Sequence, residues 1–114
     1  MNKDIYIKLA TDFSETPGGR FISEGDYSGE LFRETILLPK YYEAIENSKN
    51  LIVDLDGCYG VATSFLEESF GGLVRKVKNR NILKILEIIS KDRPNLEEKI
   101  KTYIKEANIN GEKK

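Results

Sequence analysis

The run of apolar residues near the middle of the chain, Leu51-Ile52-Val53-Asp54-Leu55, constrains the fold more than any other segment. It is bounded by Asn50 and Gly57 and is rich in branched side chains, which predicts a β-strand. A strand that is apolar at nearly every position is typical of the centre of a sheet. The rest of the chain must therefore supply the neighbouring strands and the helices that cover them.

Other segments favour additional strands. Residues 4–9 alternate apolar and polar side chains with the period of two that is expected of a half-buried strand. Residues 82–89 fit a helical face by their spacing, but their isoleucine content and polar flanks favour a strand. The short apolar pair Phe21-Ile22 lies between turn-forming segments and is consistent with one more strand.

Helices are predicted between these strands. Residues 28–47 repeat apolar side chains at helical spacing, with Ser28 as the N-cap and Pro39 breaking the region into two pieces. Ser64, with Glu67 three residues later, forms a capping-box pattern that begins a second helix. Both regions carry enough apolar side chains on one face to cover a sheet.

The length of 114 residues suits one domain. A last amphipathic helix begins near Asn95, and residues 108–114 form a polar tail that we expect to fray. Because strands and helices alternate along the chain, we expect a single α/β domain over residues 1–114.

The composition argues against several classes of function. The chain has no His and one Cys, which removes the commonest general base, the commonest metal ligand and any intrachain disulfide. We therefore expect no catalytic residue, no metal and no cofactor, and a binding protein in place of an enzyme. No window approaches the ~18–20 apolar residues that span a bilayer, and the N-terminus does not have the pattern of a secretory signal. Together with the lone Cys58, this predicts a cytoplasmic protein with no membrane partner.

The formal net charge of −1 hides an uneven distribution. Residues 1–71 carry 13 acidic and 6 basic groups, whereas residues 72–114 carry 6 acidic and 12 basic ones. The densest basic stretch is residues 75–84. It could be a helix end exposed to solvent or a docking surface for an acidic protein. The alternative function is nucleic-acid or nucleotide binding. Arg20 and Arg33 are weaker anion-binding candidates that could instead pair with Glu30 or Glu34. The anion-binding candidates are Arg20, Arg33, Arg75, Lys76, Lys78 and Arg80.

Asp54 and Asp56, at the end of the central strand, suggest a further alternative. A strand that ends in Asp-x-Asp-Gly resembles the first motif of haloacid dehalogenase-type phosphatases, in which two carboxylates act together with Mg²⁺. That family also needs a Ser or Thr, a Lys and another acidic pair on later strands. Asp92 is the only Asp that follows Gly57, so no second pair of Asp residues follows the motif.

A larger set of motifs resembles another family. The central strand with its Asp, a short loop to Ser64 and the apolar helix that follows are similar to the core of STAS domains, which occur as bacterial anti-sigma factor antagonists and in sulfate transporters. The closer resemblance is to a STAS-like family of unknown function, through Pro17-Gly18-Gly19-Arg20, Ser28-Gly29-Glu30, Phe32-Arg33-Glu34, Pro39, Thr63-Ser64-Phe65-Leu66-Glu67-Glu68 and Phe70-Gly71-Gly72-Leu73. This resemblance implies a STAS-like α/β fold, with a mixed β-sheet of about four strands packed against about four helices.

The resemblance also implies a function. STAS antagonists are non-enzymatic regulatory modules of the bacterial cytoplasm, and their partner is a histidine-kinase-like ATPase or a similar regulator. That partner phosphorylates a Ser at the start of the helix, which matches Thr63 or Ser64 here, although Ala62 stands where the antagonists have Asp. Ser64 could also act only as an N-cap. The residues that we expect to contact the partner are Gly57, Cys58, Tyr59, Gly60, Phe65, Glu67 and Glu68.

Overall fold

Three parallel strands form the sheet in a computed structural model that describes residues 4–77 and 81–112. The strands are β1 (Ile5–Lys8), β2 (Leu51–Asp54) and β3 (Leu86–Ile89), in the spatial order β1-β2-β3. In the register of the sheet, Val53 lies between Ile7 and Ile88. The central strand is where the sequence placed it. The prediction of a mixed sheet of about four strands is wrong, because the sheet of the described residues has three strands and all are parallel.

The strand considered for Phe21-Ile22 is replaced by a short 3-10 turn, Ile22–Glu24. The Glu24 carboxylate accepts hydrogen bonds from the backbone N–H groups of Arg20 and Phe21, at 2.6 and 2.7 Å, and this folds the chain back on itself. Residues 82–89 divide in a similar way, into a 3-10 turn at Ile82–Lys84 and then strand β3.

The first two helical segments connect β1 to β2. Helix α1 (Leu9–Asp12) is one turn long, and the Asp12 carboxylate accepts a hydrogen bond from the Lys8 N–H at 2.8 Å. Helix α2 (residues 29–46) contains the α-helical turn Gly29–Phe32, the π-helical turn Arg33–Leu37 and the α-helix Leu38–Glu46. The Ser28 hydroxyl accepts a hydrogen bond from the Leu31 N–H at 3.1 Å, which confirms Ser28 as the N-cap.

Pro39 does not break α2, contrary to the sequence prediction. Leu38 keeps α-helical angles of φ −64° and ψ −48°, and its N–H donates to the Arg33 carbonyl, five residues back. The wide turn that results places Pro39 in the first turn of the next α-helical piece, where the missing N–H of proline is tolerated.

The remaining helices flank β3 in the sequence. Helix α3 (residues 63–77) contains the α-helical turn Thr63–Leu66, the π-helical turn Glu67–Gly71 and the α-helix Gly72–Val77. Helix α4 (Asn95–Glu112) is the longest. It includes residues 108–112 of the tail that was expected to fray, and residues 113–114 lie outside the described part.

The core lies between the helices and one face of the sheet. The buried side chains of the three strands on this face are Ile5, Ile7, Leu51, Val53, Leu86 and Ile88. Helices α2, α3 and α4 cover them with Leu37, Tyr41, Ala44, Phe70, Leu73, Ile100 and Ile104, all buried. On the opposite face, Ile52 is buried between its register neighbours Tyr6 and Glu87, whose side chains are exposed. No helix in the described part of the chain is both long enough and apolar enough to cross a membrane.

Candidate functional site

The loop between β2 and α3, residues 55–62, presents an exposed tyrosine on a fixed backbone. The Tyr59 N–H donates to the Glu15 carbonyl at 2.8 Å, which ties this loop to the loop after α1. From the other side, the Arg93 guanidinium donates to the carbonyls of Cys58 and Tyr59 at 3.0 and 2.7 Å. The Tyr59 side chain nevertheless remains 77% exposed. The loop therefore holds its aromatic ring in the solvent while its own backbone is anchored on both sides.

The other residues that we expected to contact a partner differ in how far they are buried. Gly57 and Gly60 are exposed beside Tyr59, and Gly57 has a φ of +96°, a conformation that favours glycine. Cys58 and Phe65 are buried, so their side chains belong to the core beneath the loop and cannot contact a partner directly. Burial raises the pKa of the Cys58 thiol, and the thiol donates a weak hydrogen bond to the Ser14 carbonyl at 3.6 Å.

The carboxylates of the Asp-x-Asp-Gly segment stabilise a turn. The Asp54 carboxylate accepts a hydrogen bond from the Asp56 N–H at 2.9 Å and lies 3.4 Å from the Lys8 ammonium. The Asp56 carboxylate accepts a hydrogen bond from the Asp92 N–H at 3.1 Å, which lowers the pKa of Asp56. Among residues 4–77 and 81–112, no group of three or more His, Cys, Asp or Glu side chains is placed to hold a metal ion.

The two π-helical turns lie side by side and share a buried ion pair. The Arg33 guanidinium donates to the Glu68 carboxylate at 2.6 Å and to the Glu68 carbonyl at 2.9 Å. The two side chains are only 7% and 12% exposed. Arg33 also donates to Glu34 at 2.8 Å, a pairing that the sequence predicted. The pKa of Arg33 is above its ordinary value because these hydrogen bonds outweigh burial, which acts to lower it.

Small residues let the helices approach closely enough for this pair to form. A Cβ on Gly72 would collide with the Arg33 guanidinium, so the guanidinium occupies the space that a side chain would take. A Cβ on Gly29 would come 2.5 Å from the Phe65 carbonyl, where α2 crosses α3. The close approach of α3 at Gly72 is therefore to Arg33, and Gly29 supplies a second contact of the same kind.

A more exposed set of ion pairs surrounds the buried one. Glu67 pairs with Arg20 and with Arg75, whose guanidinium lies 2.8 Å away. Glu68 also pairs with Arg20 at 3.2 Å, and the ammonium of Lys76 lies 3.7 Å from Glu34. The four anion-binding candidates that the structure describes, Arg20, Arg33, Arg75 and Lys76, therefore all pair with glutamates. Lys78 and Arg80 lie outside the described residues.

These ion pairs change the interpretation of the start of α3. The N-cap is Ala62, and Ser64 lies inside the first turn, so the predicted Ser64 cap is wrong. Glu67 does not complete a capping box because its carboxylate is held by Arg20 and Arg75. Thr63 is exposed and Ser64 is half-buried. The pairing Arg20 with Glu30 is also absent, since Glu30 accepts a hydrogen bond from the Ile22 N–H.

Removing one partner of the buried pair should destabilise the domain strongly. Glu68→Leu leaves the buried Arg33 charge with only the more exposed Glu34 carboxylate, and we expect a loss of about 3–5 kcal/mol in the free energy of unfolding. The double variant Arg33→Met with Glu68→Leu removes both charges and should recover most of that loss. Urea unfolding followed by circular dichroism measures both values.

Glu43→Gln, which breaks the exposed pair with Lys40, is the control and should cost less than about 1 kcal/mol. An equal effect of Glu68→Leu and Glu43→Gln would contradict the assignment.

The ion pairs of Glu67 also predict a dependence of stability on pH. Hydrogen bonds from Arg75 and Arg20 lower the pKa of Glu67, and Arg33 lowers the pKa of Glu34, from an ordinary value of 4.5. The unfolded chain therefore binds protons more readily than the folded domain, and the stability from these pairs is complete above pH 4.5 and lost as the pH falls below it. The urea midpoint should decrease in acid, and it should decrease less in Glu67→Gln. Glu46→Gln, at an exposed glutamate, controls for the loss of one carboxylate, and a Glu67→Gln profile parallel to that of the wild type would refute the explanation.

The comparisons with known proteins match this chain to one family. The sequence model of the STAS-like domain of unknown function (DUF4325) matches residues 28–96, which is more than half of the chain. The match includes the Tyr59 loop, both π-helical turns and the buried ion pair. Searches of the curated proteins and of the solved structures found no match. The resemblance seen in the sequence is confirmed, and the chain belongs to the family of STAS-like domains of unknown function.

Proposed function

We propose that this chain is a regulatory protein-interaction domain that docks its partner through the loop 55–62 and the start of α3. The observation that carries the proposal is the 77% exposure of Tyr59 on a loop whose backbone is bonded to Glu15 and Arg93. Tyrosine is among the residues that most often supply the binding energy of protein interfaces. Because the loop is already ordered, little conformational entropy remains to be lost when a partner binds.

The proposal includes a partner and a means of regulation, both of which rest on the resemblance to STAS antagonists. The partner is a histidine-kinase-like ATPase or a similar regulator, and the regulated site is Thr63 or Ser64. A phosphate would add about −1.5 to −2 charge beside Tyr59, and the N-terminus of a helix favours anions. The carboxylates of Glu67 and Glu68, one turn further along α3, are paired with arginines and so repel a phosphate less than free carboxylates would.

Tyr59→Ala should release the partner without unfolding the domain. Wild type and variant are used as bait in lysate from native cells, and the captured proteins are compared by mass spectrometry. Tyr42→Ala is the matched control, because Tyr42 is also exposed, at 47%, but lies on α2 away from the loop. We expect one or more proteins to be captured by wild type and Tyr42→Ala and lost from Tyr59→Ala. Capture that is equal for all three baits would overturn the docking site.

Phosphorylation should be visible in the protein as it is isolated from cells. Intact-mass measurement should show a fraction that is heavier by one phosphate, and this fraction should disappear in Thr63→Ala or in Ser64→Ala. Thr11→Ala changes another exposed threonine and should leave the fraction unchanged. If no heavier fraction is found, and Thr63→Glu and Ser64→Asp capture the same proteins as the wild type, the regulatory part of the proposal fails while the docking site stands.

A further inference from the structure

Exposed apolar side chains are concentrated on two loops that hydrogen bonds connect. Eight large hydrophobic side chains are exposed in the part of the chain whose side chains are described. Four of them belong to the loops that follow α1 and β2, residues 13–28 and 55–62. They are Phe21, Ile22, Tyr27 and Tyr59, exposed by 47%, 51%, 46% and 77%.

The two loops form one connected surface. Besides the Tyr59 hydrogen bond to Glu15, the Gly18 N–H donates to the Tyr27 carbonyl at 3.0 Å, so a short stretch of backbone joins the two tyrosines. The Phe13 ring packs edge-on against Tyr27, with centroids 5.6 Å apart, and lies 6.0 Å from the buried ring of Phe65. The exposed Tyr27 ring therefore packs against a cluster of aromatic rings.

The charge of the first loop is negative, whereas the Arg93 guanidinium lies against the backbone of the second loop at Tyr59. Residues 13–30 carry four acidic groups and one basic group. The acidic groups are Glu15, Glu24, Asp26 and Glu30, and all except the half-buried Glu30 are exposed. The basic group, Arg20, is directed away from them toward Glu67 and Glu68 on α3. Within α3 itself the two glutamates are matched in number by Arg75 and Lys76, so the acidic excess of these two segments lies in the loop 13–28 and at Glu30.

We propose that this acidic aromatic surface, formed by Phe21, Ile22, Tyr27 and Tyr59 with the carboxylates of Glu15, Glu24, Asp26 and Glu30, binds a basic segment of the partner protein that carries apolar anchor side chains. The inference rests on the proposed docking function and specifies the chemistry of the partner. Exposed rings provide apolar area, and the surrounding carboxylates attract Lys and Arg and repel acidic chains and nucleic acids. An acidic rim also makes the interaction selective, because an equally apolar but acidic segment is rejected.

The test uses two fluorescein-labelled peptides with the same amphipathic pattern. The first consists of lysine and leucine, and the second has glutamate in place of each lysine. Fluorescence anisotropy with the full chain should show binding of the lysine peptide only, with an affinity that falls as salt is raised. Glu15→Gln with Asp26→Asn should weaken binding at least about threefold, because two attractive charges are lost from the rim. Glu43→Gln with Glu46→Gln removes the same charge from α2 and should leave the affinity within about twofold of the wild type.

The location is tested by amide chemical-shift changes on addition of the lysine peptide, which should fall on residues 15–30 and 57–63. Changes confined to other residues, or equal weakening by both pairs of substitutions, would overturn the proposal.

If neither peptide binds while Tyr59→Ala still loses its captured protein, the basic partner is wrong and the docking function stands. If the lysine peptide binds here but Tyr59→Ala retains every captured protein, the docking function fails. Concentration-dependent dimerisation that Glu15→Gln with Asp26→Asn abolishes would replace the partner with a second copy of this chain.

Discussion

The buried ion pair between Arg33 and Glu68 fixes the relative position of the two central helices, and much of the structure depends on it. The pair joins the π-helical turns of α2 and α3, at a point where Gly72 leaves room for the guanidinium. Glu68 also binds Arg20, which holds the loop 13–28 against α3. That loop in turn binds the Tyr59 backbone. A charge that is costly to bury is thus stabilised by several partners, and the same partners position the docking loops.

The sequence predicted those parts of the fold that depend on local chemistry. The apolar run at Leu51–Asp54 forms the central strand, and Ser28 caps α2 because its partner N–H is only three residues away. The errors arise where a distant residue intervenes. The helix begins one residue before Ser64, with Ala62 as the N-cap, and Arg20 and Arg75 bind the Glu67 carboxylate that a capping box at Ser64 would use. A π-helical turn, which no local propensity indicates, allows α2 to continue through Pro39.

The candidate site could be located from the sequence but not described in detail. A loop between the central strand and the next helix is where α/β domains commonly place functional residues, so Tyr59 could be singled out. The burial of Cys58 and Phe65 could not be inferred, because both stand in a stretch of mixed polarity. Neither could the roles of Glu15 and Arg93, which hold the loop from 44 and 34 positions away in the sequence. Tyr27 carries no motif, and its position against Phe13 and Gly18 depends on how the loop 13–28 folds.

The contact between Gly72 and the Arg33 guanidinium also has a consequence for how this sequence can change over time. A side chain at position 72 requires the Arg33 guanidinium to shift, which disturbs its hydrogen bonds to Glu68 and leaves Glu68 more dependent on Arg20. We therefore expect single replacements at positions 33, 68 and 72 to be penalised more than joint replacements. Homologous chains should divide into those that keep Arg, Glu and Gly together and those that replace all three with apolar side chains of matching volume.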